Sequence, residues 1–88
     1  MFDLKGRLQE EVKRAEQAAR VLEEPMLNDA FTLIESHLVA RLKSEGDRAA
    51  QQRLTDQLQA LESVTKCLRR TVETGKLALS TLKEKGWW

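Results

Sequence analysis

Between Leu54 and Leu82, apolar or small residues recur at spacings that alternate between four and three: Leu54, Leu58, Leu61, Thr65, Leu68, Val72, Gly75, Leu79 and Leu82. This alternation holds one stripe of side chains on one side of an α-helix, the seam through which helices pack lengthwise. Thr65 and Gly75 are its two defects. No proline falls between Asp47 and Lys85, and Gly75 is the one glycine in the body of that stretch. A continuous helix over 47–85 is therefore expected, roughly 57 Å long at 1.5 Å per residue. No globule of 88 residues has a core that wide. The helix must be covered along its length by the preceding half of the chain, by a partner, or by both.

The preceding half has two shorter stripes. Leu4, Leu8, Val12, Ala15, Ala19 and Leu22 follow helical spacing over about 3–24, with Asp3 placed to cap the start and Gly6 weakening the first turn. Pro25 breaks that helix and opens the next one at its first turn; Asn28 is an alternative cap a few residues later. Leu27, Phe31, Ile34, Leu38 and Leu42 form the stripe of a helix over about 26–43. Ser44-Glu45-Gly46-Asp47 reads as a tight turn, with Gly46 in the left-handed conformation and Asp47 capping the long helix.

Folding back at this turn sets an antiparallel register in which opposed residue numbers sum to about 91. Leu38 then meets Leu54, Ile34 meets Leu58, Phe31 meets Leu61, Leu22 meets Leu68, Ala19 meets Val72, Val12 meets Leu79 and Leu8 meets Leu82. Ala15 falls opposite Gly75, where two small residues let the backbones approach closely. Two independent patterns agree along the chain. The expected fold is all-α: one domain over 1–88, an antiparallel helical hairpin with a proline-bent first arm of two shorter helices and one long second helix. Such a hairpin buries one stripe per helix, a thin core for the entropy it must offset. Val21, Met26, Leu33, Val39, Val64, Leu77, Trp87 and Trp88 lie off the seam. They suit a second face that oligomerises or receives a partner.

The chemistry-bearing residues are sparse. His37 is the single histidine and Cys67 the single cysteine, so no zinc-type ligand set and no internal disulfide is available. Glu10, Glu11, Glu16, Glu23 and Glu24 alternate with Lys and Arg as a solvated face. No phosphate-binding glycine loop, metalloprotease helix or nucleophile elbow occurs. A non-enzymatic chain is expected, with no cofactor, metal or small-molecule substrate. Near the start, charge interrupts Met1-Phe2-Asp3-Leu4-Lys5, and no apolar run approaches the ~20 residues that span a bilayer, so no membrane role is expected.

The net charge is +1, unevenly spread: −2 over 1–46, −1 over 47–65 and +4 over 66–88. Lys66, Arg69, Arg70 and Lys76 form the densest basic cluster, a candidate contact for nucleic acid or another anion, though it lacks the dense stripe of a dedicated DNA binder. Gly86-Trp87-Trp88 places two tryptophans together. They either fold back on Phe2 and Leu4 or anchor in a partner's pocket. Phe2, Val64, Leu77, Trp87 and Trp88 are the candidate partner-binding residues.

The run Ala19-Arg20-Val21-Leu22-Glu23-Glu24-Pro25-Met26-Leu27-Asn28-Asp29-Ala30-Phe31, followed by Glu73-Thr74-Gly75-Lys76-Leu77-Ala78, resembles small helical proteins encoded in the structural gene clusters of tailed bacteriophages and prophages. The resemblance covers about two thirds of the chain. It implies a virion component or assembly accessory, in the virion or the host cytoplasm, that associates with itself or with phage structural proteins. No activity comes with it. The alternatives are a phage-encoded inhibitor or adaptor for a host protein, and a small nucleic-acid adaptor using the basic cluster.

Overall fold

The computed structural model describes residues 2–88, and among them every regular element is helical: α1 (Leu4–Glu23), α2 (Pro25–Ser44) and α3 (Arg48–Glu84). Each boundary has a local cause. Asp3 Oδ1 accepts the Gly6 N–H at 3.0 Å and starts α1. A Cβ on Gly6 would collide with that carboxylate, so the glycine makes room for the cap. Pro25 interrupts the chain as expected, and the interruption is one residue long. Glu24 is extended (φ −70°, ψ 113°), and its side chain accepts the Met26 N–H at 3.3 Å. Asn28 is therefore not the cap; its N–H already donates to the Glu24 carbonyl at 3.0 Å within the first turn of α2.

The turn between α2 and α3 departs from expectation in one respect. Glu45, in extended backbone (φ −83°, ψ 121°), ends α2, and Gly46 does not enter the left-handed region. Side chains hold the turn instead: Glu45 Oε1 accepts the Asp47 N–H at 3.0 Å, and Gln51 Nε2 donates to the Glu45 carbonyl at 2.6 Å. Asp47 caps α3 as expected, its Oδ2 accepting the Ala50 N–H at 3.0 Å.

The helices form two compact units, 2–23 with 67–88, and 24–66. In the first, α1 packs on the C-terminal half of α3. Leu8, Val12, Ala78 and Leu82 make its buried cluster, with Leu4 and Leu79 packed against it and Leu82 wholly inaccessible. These contacts follow the inferred antiparallel register. Gly75 meets Ala15 so closely that a Cβ added at Gly75 would overlap the Ala15 Cβ and lie 3.0 Å from the Glu11 carbonyl. The deepest small residues are Ala18 and Ala78, one position from the seam residues Ala19 and Leu79, which are half-buried.

In the second unit, α2 packs on the N-terminal half of α3, and only Leu38 and Leu54 are buried. Leu27, Phe31, Leu42, Leu58 and Leu61 are half-buried. Ile34, expected opposite Leu58, remains 47% exposed. With one helix on each side, the edge of the seam has nothing above it.

Candidate functional site

Helix faces are what this chain offers. In the first unit, the end of α3 positions the tryptophans. Gly86 takes φ +71°, its N–H donates to the Lys83 carbonyl at 3.1 Å, and the Trp87 N–H donates to the Leu82 carbonyl at 2.8 Å. This is the glycine-dependent Schellman closure, which turns the chain back at the helix end. The Lys85 ammonium lies 5.3 Å from the centre of the Trp87 ring, and the Arg7 guanidinium 5.9 Å from that of Phe2. Each ring carries a cation on its face. Trp87 is 36% exposed, against 63% for Trp88 and 70% for Phe2. Leu77 projects from the same half of α3 at 71% exposure.

Four of the five candidate partner-binding residues thus belong to the first unit, while Val64, 47% exposed, belongs to the second. The basic cluster divides similarly: Lys66 lies in the second unit, and Arg69, Arg70 and Lys76 lie in the first. Lys76 is paired with Glu73 at 3.2 Å, which removes part of its attraction for an anion. Arg70 lines a shallow depression of about 260 Å³ with Glu11, Arg14, Cys67, Thr71 and Thr74. Glu11, the acid in its lining, pairs with Arg7 at 3.4 Å, and Arg14 pairs with Glu10 at 3.6 Å. Cys67 is an exposed free thiol.

Among the described residues, no three or more His, Cys, Asp or Glu side chains gather closely enough to hold a metal ion. No buried side-chain nitrogen or oxygen lacks a hydrogen bond among them either. None of their helices is long and apolar enough to cross a membrane.

The second unit has a further face. Met26, Ala30, Leu33, His37 and Ala40 follow spacings of four, three, four and three, a second stripe on α2, and all five are exposed. Met26 is 77% and Leu33 57% exposed. The periodicity is present in the sequence, but a stripe built partly from alanines stands out less than its neighbour built from leucine, isoleucine and phenylalanine.

Comparison with protein families, curated proteins and solved structures gave no match for this chain.

Proposed function

We propose that this chain is a non-enzymatic protein-binding module that acts by packing its helix faces on other chains. Its setting would be the one implied by the resemblance of residues 19–31 and 73–78 to phage-encoded helical proteins: a virion structural or assembly accessory protein, in the virion or the host cytoplasm. One observation carries the binding role. Seven hydrophobic residues are buried among those described, while nine large ones, from Phe2 to Trp88, are at least 36% exposed. Scattered exposed apolar groups are ordinary. Here they outnumber the core, and Leu77, Met26 and Leu33 stand on rigid helices, where ordering them on binding costs little extra entropy. Charge favours a protein partner over a nucleic acid, because the net charge is only +1 and Lys76 is already paired.

The test is co-purification of the tagged chain with the capsid and connector proteins of the phage genome that encodes it. A stoichiometric complex that Leu77→Asp weakens at least tenfold, with helicity unchanged by circular dichroism, is expected. Absence of any complex with those proteins, together with no self-association, would overturn the reading.

A further inference from the structure

We infer that the outer stripe of α2 is a self-complementary interface, and that its occupant is a second copy of this chain packed antiparallel across a two-fold axis. The inference rests on the protein-binding reading and names the partner of one of its faces. It starts from helix geometry. Taking Leu38 as the centre of the buried stripe, the outer stripe of Met26, Ala30, Leu33, His37 and Ala40 lies about 120° round the helix, at 100° per residue. Ile34 sits between the two stripes, which accounts for its 47% exposure. On α3, Ala60 and Val64 lie by the same periodicity on the same flank of the pair, and both are exposed. The second unit therefore presents one apolar flank contributed by two helices.

The chain as a whole has more exposed surface than a compact monomer of its mass, spread over all its faces, which leaves surface for an interface. The chain exposes 6905 Å², whereas a folded monomer of 10.1 kDa exposes about 5,300 Å². The excess, about 1,600 Å², is twice the roughly 800 Å² that each partner buries in a standard stable interface.

Charge selects the occupant and its direction. In an antiparallel pairing centred beside residue 35, Leu33 meets His37 of the second copy, Ala30 meets Ala40, and Met26 meets Ser44. The Ala30–Ala40 layers let the helices approach closely. The same register brings Asp29 of each copy within reach of Lys43 of the other, because both lie on one flank of the outer stripe, giving two identical pairs of opposite charges. Asp29 and Lys43 are outside the three ion pairs formed among the described residues. A symmetric parallel pairing would instead hold Asp29 and Lys43 of the two copies about 21 Å apart along the axis, at 1.5 Å per residue, and leave their charges unmatched. Self-complementarity of this kind defines an isologous contact.

Sedimentation equilibrium on the full chain tests this, with three sets of variants. The wild type is expected to be a dimer, and Met26→Asp with Leu33→Asp a helical monomer whose dissociation constant is raised at least a hundredfold. Asp29→Lys and Lys43→Asp should each weaken the dimer, and their combination should restore it. In a Cys67→Ser background, Leu33→Cys with His37→Cys, opposed across the pairing, should form a disulfide-linked dimer on mild oxidation. Should the two-aspartate variant fail to fold, the charge swap and the crosslink decide the matter alone. A wild type that is monomeric at a chain concentration of ~100 μM, above the Kd range of standard-sized interfaces, overturns the inference and leaves the capture of phage structural proteins through Leu77 to be judged separately. A dimer indifferent to the α2 variants but broken by Leu77→Asp also overturns it, while keeping the protein-binding reading.

Discussion

Gly75 matters for what it lacks. With no Cβ, it lets Ala15 and the Glu11 carbonyl come within contact distance, so α1 and the second half of α3 share a close backbone approach. A glycine inside a helix costs up to about 1 kcal/mol relative to alanine. Overpacking a tight contact costs about 1–3 kcal/mol. Gly75→Ala should therefore destabilise the chain in urea unfolding despite the better helix former, and adding Ala15→Gly should recover part of the loss, because the two sites touch. Helix propensity alone predicts the opposite sign. Leu82 is the complementary case: it is wholly inaccessible, so Leu82→Ala should cost about 2–4 kcal/mol by the same measurement.

Helix ends separate two glycines that look alike in the sequence. Gly86 sits at φ +71°, and a side chain there meets the left-handed penalty of about 1–2 kcal/mol; Gly46 has ordinary backbone, and a Cβ there would have nothing within 4 Å. Gly86→Ala is thus expected to lower the melting temperature, while Gly46→Ala leaves it unchanged or raises it slightly. Asp47→Ala should cost about 1 kcal/mol, the usual value of a lost helix cap. Much of this level could be read before any coordinates. Pro25 marked the break, Asp47 the start of α3, and the Leu54–Leu82 seam its course, because each acts through neighbours a few residues away. Gly46 could not be read that way: Glu45 and Gln51 close the turn by side-chain bonds, which local residue preferences do not encode. Ile34 failed for another reason. Its spacing is right for the seam, but spacing says which residues share a side, and not whether anything lies over the edge of that side.

Across the chain, stability should be unequal. The first unit holds a contiguous cluster from Leu8, Val12, Ala78 and Leu82, whereas the second buries only Leu38 and Leu54. The second unit also carries the outer stripe of α2, the face assigned to another copy. A unit with few buried apolar groups opens at low free-energy cost unless a bound partner holds it closed. Amide hydrogen exchange, read at chain concentrations of about 1 μM and about 100 μM, therefore tests the central claim most directly, because mass action populates the dimer only in the second. Residues 26–44 of α2 should exchange faster than residues 8–20 of α1 in the dilute sample and gain at least roughly tenfold protection in the concentrated one. Protection of α2 that equals that of α1 and does not change with concentration would contradict it.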